Sequence, residues 1–313
     1  MKKYILTVTV IFSIRLIAQN KVEPFMPQVL GKFYNVRDMA LSPDGTEIYF
    51  TYESNKKEFS GILYMQKTTK GWSAPEVASF SGQYRDLEPF FSADGLKLYF
   101  ASARPVNATS TKAKDVDIWF VERKNKQTPW ANPINMGSAI NTDKDEYYPS
   151  VALSGNIYFT RFTDDVHKED IYVARYDKQA YQTAQTVSDS INSSTYEFNA
   201  FVAPDESFII FTSYGRADDM GGSDMYISIK NKSGAFTKAQ HMGKEINSTK
   251  IDYCPFVDVK NNTLYFTSER NNVPTGFAEK QNLQSLQKVL TQYSNGADRL
   301  YFVPFNIFDY IAK

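Results

Sequence analysis

The fold of this chain is decided by one segment, Asp86-Leu87-Glu88-Pro89-Phe90-Phe91-Ser92-Ala93-Asp94-Gly95-Leu96-Lys97-Leu98-Tyr99-Phe100. Two runs rich in aromatic and branched residues lie on either side of Asp94-Gly95. An Asp-Gly pair in that position is a strong hairpin signal, because the central residues of the turn must tolerate positive φ. A third run follows a long polar loop, at Asp117-Ile118-Trp119-Phe120-Val121. The segment therefore predicts three antiparallel strands.

The same pattern occurs five times along the chain. The second strand of each unit contains one of the pairs Tyr49-Phe50, Tyr99-Phe100, Tyr158-Phe159, Ile210-Phe211 and Tyr265-Phe266. Three connections contain Ile-Asn-Thr or Ile-Asn-Ser, starting at Ile140, Ile191 and Ile246. A period of roughly 50 residues with four strands per unit indicates a β-propeller. We predict an all-β fold with five four-stranded blades; the alternative, six blades, requires a further unit that we do not find.

The two ends of the chain are predicted to meet in the last blade. Residues 25–37 resemble the segments that precede the other repeats, and the fifth unit lacks an outer strand of its own. An N-terminal strand that completes the final blade closes the ring and removes its open sheet edges. The competing possibility is an outer strand formed by Phe305 to Ile311. The other outer strands are predicted to begin at an aromatic residue, namely Trp72, Trp130, Tyr181 and Phe236.

The N-terminus has the form of a secretory signal. Met1-Lys2-Lys3 is followed by an apolar run and then by Ala18, a small residue suited to cleavage. Arg15 interrupts this pattern, so the sequence leaves open whether the signal is cleaved. We expect residues 1–18 to be a signal peptide, residues 19–313 to form a single propeller domain, and the protein to be periplasmic or secreted.

Composition argues against several functions. The chain has 35 Lys plus Arg and 35 Asp plus Glu, so no basic field is available for nucleic acid. Its single cysteine, Cys254, cannot form an intrachain disulfide and is expected to be an inert core residue. The two histidines, His167 and His241, make a zinc site or a Ser-His-Asp triad a poor hypothesis. We expect no membrane span and a monomer.

Residues 272–297 interrupt the fifth unit with a helical pattern. The apolar residues Leu283, Leu286, Val289 and Leu290 recur at helical spacing. Asn295-Gly296 is a typical helix stop. Because an amphipathic helix must bury its apolar side, we expect it to pack over one face of the propeller as a plug or lid.

The two faces of the predicted propeller differ. Turns between the first and second strands are short and uniform, whereas the loops between the second and third strands are long and different in every unit. Variable loops on a rigid scaffold are where binding usually resides. The long-loop face is therefore the candidate functional face.

Two polar features recur on this face. Four units carry an acid near the start of the inner strand and an arginine near the end of the second strand. These residues are Asp86, Glu146, Glu197, Asp252, Arg104, Arg161, Arg216 and Arg270. The acids are expected to form a broken ring at the channel mouth, where they either pair with the arginines or bind a ligand. Arg37 is read as the replacement for the acid in the first unit, a break in symmetry that marks one possible site.

A glycine-containing loop carries the one candidate for a metal site. Residues 216–224 place Asp218, Asp219 and Asp224 around two glycines. Calcium ligation is possible there, although the spacing does not match the twelve-residue calcium loop. A loop rigidified by Asp–backbone hydrogen bonds is the alternative. No other cofactor is predicted.

These motifs resemble a known family. Ser-Pro-Asp-Gly at 42–45, Ser-Ala-Asp-Gly at 92–95 and Gly-Gly-Ser-Asp-Met-Tyr at 221–226 are similar to WD-repeat-like propeller repeats related to the TolB propeller. The resemblance covers residues 35–305 and implies an exported propeller of the kind common in Bacteroidetes-type bacteria. Ala200 stands where the family prefers proline, and Pro204-Asp205-Glu206 replaces Pro-Asp-Gly. The resemblance is specific for fold and weak for activity.

Two functions compete. The first is a non-enzymatic exported binding module whose long-loop face contacts an envelope protein or a glycan. The alternative is a glycosidase-like carbohydrate-active enzyme, because such enzymes need only two suitably placed carboxylates. The four repeated acids occupy equivalent positions, and an acid–base pair needs unlike environments. On this argument the binding module is preferred, and no catalytic residue is assigned.

Overall fold

The computed structural model describes residues 21–106, 115–163 and 168–311. Five antiparallel sheets of four principal strands each form the blades of a β-propeller. The inner strands are Asn35–Leu41, Asp86–Phe91, Glu146–Val151, Tyr196–Val202 and Asp252–Asp258. The second strands are Glu47–Glu53, Lys97–Ser102, Ile157–Phe162, Phe208–Tyr214 and Thr263–Ser268. The third strands are Ser60–Thr68, Asp117–Glu122, Glu169–Ala174, Asp224–Ile229 and Arg299–Pro304.

The outer strands are short and begin later than predicted. They are Glu76–Val77, Ile134–Asn135, Gln185–Thr186 and Gln240–His241, with Glu23–Pro24 in the fifth blade. Each of the first four starts four residues after its aromatic marker. Trp72 instead pairs with Lys67 on an extension of the third strand. Trp130 packs against the neighbouring blade, where its indole N–H donates to the Tyr49 hydroxyl at 2.8 Å.

The predicted closure of the ring is confirmed. Glu23 and Pro24 pair with Phe302 and Tyr301 on the third strand of the fifth blade. The segment that was expected to form this strand lies slightly downstream and is a short helix, Pro27–Leu30. Proline suits the first turn of a helix because its φ is preset and it has no N–H to leave unpaired. The competing outer strand is wrong, since Phe308–Ile311 is also a short helix.

The core lies between the blades. The phenylalanine of each repeated second-strand pair has no exposed surface; these are Phe50, Phe100, Phe159, Phe211 and Phe266. At about 25 cal/mol per Å² of buried apolar surface, such fully buried rings contribute strongly to blade packing. The repeated aromatic pair is thus explained by the wedge-like packing of adjacent sheets.

The short turns share one backbone geometry. The residue with positive φ is Gly45, Gly95, Gly155, Glu206 or Asn262. Glu206 adopts φ 57° where the first three turns have glycine. Its carboxylate accepts hydrogen bonds from Asn156 at 2.8 Å and from the Tyr158 hydroxyl at 3.0 Å, which stabilise this conformation. The departure from Pro-Asp-Gly therefore changes the local contacts and leaves the turn intact.

The inserted helix spans Leu283–Leu290 and is capped by the Asn282 side chain. None of its residues is buried, and Leu283 is 71% exposed. The prediction that it covers a propeller face is therefore wrong. The helical periodicity correctly located the element, but three of its four apolar side chains, those of Leu283, Leu286 and Leu290, are exposed. None of the three described helices has the length and apolar character needed to span a bilayer.

Candidate functional site

A ring of five residues surrounds the propeller axis. Each lies at a β-bulge of an inner strand and has positive φ; they are Asp38, Glu88, Tyr148, Asn199 and Cys254. Contacts between blades show that these positions converge. The Asn199 amide donates to the Cys254 sulfur at 2.8 Å, and the Tyr148 hydroxyl donates to the Pro255 carbonyl at 3.0 Å. The bulges aim this ring of side chains inward.

In three of the five blades, the threonine that follows the repeated aromatic pair accepts a hydrogen bond from the bulge of the next inner strand. The N–H of Glu88 donates to the Thr51 hydroxyl at 2.9 Å, and that of Asn199 donates to Thr160 at 2.9 Å. In the second blade this position is Ala101, which has no hydroxyl. The N–H of Tyr148 donates instead to Glu88 Oε2 at 2.7 Å. Ala101 is thus a sequence signal for Glu88 that our sequence analysis missed.

Arg37 lies at the centre of the charged groups on the axis. It donates to Asp38 Oδ1 at 2.8 Å and to Glu88 Oε1 at 2.7 Å. Its guanidinium lies 5.0 Å from the centre of the Tyr253 ring. Burial would lower the pKa of Arg37, but the surrounding negative charges, Asp38 first, raise it well above the usual arginine value. Arg37 is therefore a fixed cation that is hydrogen-bonded to two carboxyl groups, with the Glu53 carboxylate 4.0 Å away as a third.

The sequence analysis proposed that Arg37 replaces the repeated acid in the first blade. This prediction is wrong. Val36 pairs with Tyr52 in the first blade, as Asp86 pairs with Ser102 in the second. Val36 therefore occupies the position of the acid, and Arg37 is the next residue. The offset arose because the other inner strands were aligned on a proline or alanine three residues after the acid, whereas the first strand has Met39 at that position and Ala40 one residue later.

Glu88 and Glu169 have raised pKa values in different surroundings. Burial raises the pKa of Glu88 to about 8, although Arg37 acts in the opposite direction. Burial also raises the pKa of Glu169, which accepts a hydrogen bond from the Tyr147 hydroxyl. Glu88 is almost completely buried, whereas Glu169 is partly accessible. Carboxyl groups in unlike environments are the usual arrangement for an acid and a base.

These groups line a cavity of about 250 Å³ on the long-loop face. Cations, carboxyl groups, an amide and aromatic rings share its wall: Arg37, Arg85, Glu88, Asp145, Glu169, Asn199, Tyr147, Phe162, Phe198 and Tyr253. The inserted helix contributes no residue to this wall. At the other end of the axis, Phe90, Phe201 and Phe256 contact one another with ring centres 5.7 to 6.4 Å apart. The axis is thus polar towards the long-loop face and apolar towards the short turns.

The eight residues predicted as binding residues lie elsewhere. All four acids have no exposed surface, and none of the eight lines the axial cavity. Each arginine donates to the acid of its own blade, at 2.7 Å for Arg104–Asp86, 2.7 Å for Arg161–Glu146, 2.8 Å for Arg216–Glu197 and 3.2 Å for Arg270–Asp252. The predicted ring of acids at the channel mouth is therefore wrong. Their side chains are instead enclosed within the blades.

The repeated Ile-Asn-Thr and Ile-Asn-Ser motifs explain this enclosure for Glu146, Glu197 and Asp252. Asn192 accepts a hydrogen bond from the Ile171 N–H and donates to the Ile171 carbonyl, both at 2.9 Å. Ser193 donates its hydroxyl to Glu197 at 2.6 Å, while Arg216 donates to the Ile191 carbonyl at 2.6 Å. Each repeat thereby ties the connection between two blades to the next inner strand. Any further role of the eight residues in binding stays a prediction.

The carboxylates of the glycine-containing loop accept hydrogen bonds from residues in or next to the loop. Asp219 accepts hydrogen bonds from the N–H groups of Gly215 at 2.6 Å and Arg216 at 2.9 Å, and the Tyr226 hydroxyl donates to Asp218 at 2.7 Å. Among the described residues, no group of three His, Cys, Asp or Glu side chains is placed to hold a metal ion. Calcium binding at this loop stays a prediction.

Cys254 and His241 add no reactive group to the cavity. Cys254 is 1% exposed, and burial raises the pKa of its thiol well above the usual value, which keeps the sulfur protonated. His241 contacts Asp224 at 3.0 Å on the outer edge of the fourth blade. His167 lies outside the described residues, as does the predicted signal peptide.

No protein-family model and no curated protein matches the sequence. Solved structures do match. An endo-arabinase from Bacteroides thetaiotaomicron has a TM-score of 0.54 at 13% identity, over 89% of this chain and 96% of that chain. A glycoside hydrolase has a TM-score of 0.53 at 7% identity, over 86% of each chain. A hydrazine synthase from Kuenenia stuttgartiensis has a TM-score of 0.50 at 10% identity, over 77% of this chain and 36% of that chain. At these identities the likeness establishes the β-propeller fold.

The comparisons overturn the order of the two functional hypotheses. The two matches with the higher TM-scores, over most of both chains, are an endo-arabinase and a glycoside hydrolase. The prediction of a non-enzymatic binding module is therefore wrong, and the carbohydrate-active alternative is better supported. The sequence argument weighed the acids at repeated positions and did not consider the carboxyl groups at the axis.

Proposed function

We propose that this protein is a carbohydrate-active enzyme with glycosidase-like chemistry in the axial cavity. The observation that carries the proposal is the presence of two carboxyl groups with raised pKa values in unlike environments, Glu88 and Glu169, in the wall of one cavity. Glycoside hydrolysis requires such a pair around the scissile bond. The endo-arabinase and the glycoside hydrolase with the same fold add support.

The surroundings of the two carboxyl groups assign them different roles. With a pKa of about 8, Glu88 is mostly protonated at neutral pH and is suited to protonate the leaving oxygen. Glu169 is closer to solvent and is oriented by the Tyr147 hydroxyl. It is suited to act as the second carboxylate, which either activates water or attacks the sugar. Arg37 positions Glu88 through its 2.7 Å hydrogen bond.

The remaining wall of the cavity suits a sugar. The rings of Tyr147, Phe162, Phe198 and Tyr253 offer apolar surface, and Asn199 offers an amide for hydroxyl groups. Sites of this kind combine aromatic walls with a few convergent polar groups. A volume of about 250 Å³ lies below the range of roughly 300 Å³ and above that holds drug-sized ligands. We therefore expect the cavity to accept one sugar unit.

The proposed cellular setting follows from the sequence. The repeats resemble those of TolB-related exported propellers, and the N-terminal residues have the form of a secretory signal. We infer that the enzyme acts in the periplasm or outside the cell, where polysaccharides are encountered. Fractionation of the native host, with the protein detected by antibody, tests this location; recovery in the cytoplasm contradicts it.

The proposed activity is tested with a panel of aryl-glycosides and polysaccharides. Glu88→Gln and Glu169→Gln should each lower kcat/KM by about 10²- to 10⁴-fold, because each removes a proton-transferring or nucleophilic group. Glu122→Gln is the matched control, since Glu122 is exposed and lies 3.9 Å from Lys97 outside the cavity. Its activity should equal that of the wild type. Wild-type activity in both cavity variants, or no hydrolysis across the panel, refutes the proposal.

A further inference from the structure

The axial cavity contains one cation whose hydrogen-bonding capacity is unused. Arg85 lies directly before the inner strand of the second blade, and its carbonyl accepts the Ala103 N–H at 3.0 Å, so its backbone is fixed. Its side chain is half-buried and lines the cavity. Within the described residues, this guanidinium has neither an ion pair nor a hydrogen bond. An arginine has five N–H donors in a planar fork.

The other charged groups of the cavity already have partners. Arg37 is held by Asp38 and Glu88. Asp145 accepts the Val116 N–H at 2.7 Å, and Glu169 accepts the Tyr147 hydroxyl. Each carboxyl group thus has a donor within the protein. Arg85 remains as the charged group of the wall that has no hydrogen-bonding or ionic partner among the described residues.

Arg85 also lies close to the proposed reacting groups. Its charge lowers the pKa of Glu88, so the two groups interact across the same cavity. A planar guanidinium binds a carboxylate through two parallel hydrogen bonds, a geometry that a neutral hydroxyl cannot reproduce. A sugar that enters this cavity therefore meets a carboxylate receptor as well as aromatic walls.

We propose that Arg85 makes the cavity selective for an acidic sugar, a uronate whose carboxylate binds the Arg85 guanidinium. This inference rests on the proposed carbohydrate-active function and names its substrate class. The uronate carboxylate supplies the acceptor oxygens that Arg85 lacks in the described protein. The rest of the sugar ring contacts the aromatic wall formed by Tyr147 and Phe162.

The test is calorimetric titration of the full chain with D-glucuronate and D-galacturonate against D-glucose and D-galactose. We expect the uronates to bind at least about tenfold more tightly than their neutral counterparts, the size of one charge-assisted interaction. Arg85→Gln should abolish this preference. Arg175→Gln is the matched control, because Arg175 is exposed and does not line the cavity, and it should retain the preference. Equal melting temperatures establish that each variant is folded.

The outcomes separate the two proposals. Equal affinity for uronates and neutral sugars, no binding of either, or a preference that survives in Arg85→Gln overturns the inference. Hydrolysis of neutral glycosides together with such a result leaves the proposed function standing. Binding of uronates that depends on Arg85, without hydrolysis of any acidic or neutral glycoside, supports the inference and refutes the proposed function.

Discussion

The first blade and the four that follow it use arginine in different ways. In the later blades the arginine near the end of the second strand is bonded to an acid of its own blade, as Arg216 is to Glu197 at 2.8 Å. In the first blade the position of that acid is Val36, and Arg37 reaches the axis to bind Glu88 of the next blade. The ion pair that four blades repeat stabilises the blade that contains it. Arg37, which has no equivalent in the other blades, instead lies at the propeller axis, where the candidate site is.

The largest expected effect on stability comes from removing the acidic partner of one of the repeated arginines. Glu197→Ala removes the partner of Arg216, which cannot lose its proton and must stay charged in a mostly buried position. We expect the free energy of unfolding to fall by roughly 3–5 kcal/mol, measured by urea denaturation. The double variant Glu197→Leu with Arg216→Met should recover most of the loss. A loss below about 1 kcal/mol in the single variant contradicts a structural role for this pair.

Substitution of Arg37 in the first blade should lower stability less than Glu197→Ala does and should weaken sugar binding more. Arg37→Met leaves Asp38 and Glu88 without their shared cation, but a carboxyl group can take up a proton. We therefore expect the free energy of unfolding to fall by only about 1.5–3 kcal/mol. Sugar binding by titration should be lost, whereas Glu197→Ala should keep it at temperatures where that variant is folded. Equal binding by both variants removes the distinction between the blades.

The axial carboxyl groups should make stability depend on pH. The pKa of Glu88 is raised from 4.5 to about 8 in the folded protein. Between these values the folded state binds more protons than the unfolded state, so the free energy of unfolding falls as pH rises. For one proton the slope is at most about 1.4 kcal/mol per pH unit. Urea denaturation from pH 5 to pH 8 should show this fall, and Glu88→Gln should flatten it. An unchanged slope in the variant contradicts the assignment.

The smallest effect is expected in the inserted helix. Leu286 is 36% exposed and lies outside the hydrophobic core clusters of the described residues. Leu286→Ser should therefore change the free energy of unfolding by no more than about 0.5 kcal/mol. Thermal denaturation measures this change. A loss above about 1 kcal/mol shows that the helix is packed in solution and restores the lid that the sequence suggested.

Local signals predicted most of the fold. Asp94-Gly95 fixed a hairpin, and the repeated aromatic pair identified five second strands, because both features depend on residues close together in the chain. The outer strands were misplaced because their aromatic markers serve neighbouring structure; Trp130, for example, bonds Tyr49 of the preceding blade. A marker of packing was taken for a marker of strand onset.

The candidate site was harder to predict because its residues are far apart in the chain. Glu88 lies on the inner strand of the second blade, and Glu169 lies on the third strand of the third blade. The repeat alignment compares equivalent positions, so it never placed these two residues together. Three of the four acids that the alignment did single out are enclosed by Ile-Asn-Thr or Ile-Asn-Ser connections, whose partners lie in neighbouring blades. The fourth, Asp86, is enclosed by Ser81, Ser102 and Arg104. One local signal was available, the change from threonine to Ala101, which moves the Tyr148 N–H to Glu88.

The sequence by itself determined the number of blades, the order of their principal strands and the meeting of the two chain ends. Hydrophobic alternation and turn chemistry depend on residues a few positions apart, and the same local signals recur in each of the five units. Only the tertiary structure decided which charges are enclosed and which face the axis. That outcome depends on the β-bulges at Asp38 and Glu88 and on the convergence of the five inner strands at the axis. Because of this geometry, a shift of one position along the strand, from Val36 to Arg37, moves a side chain from the blade to the cavity.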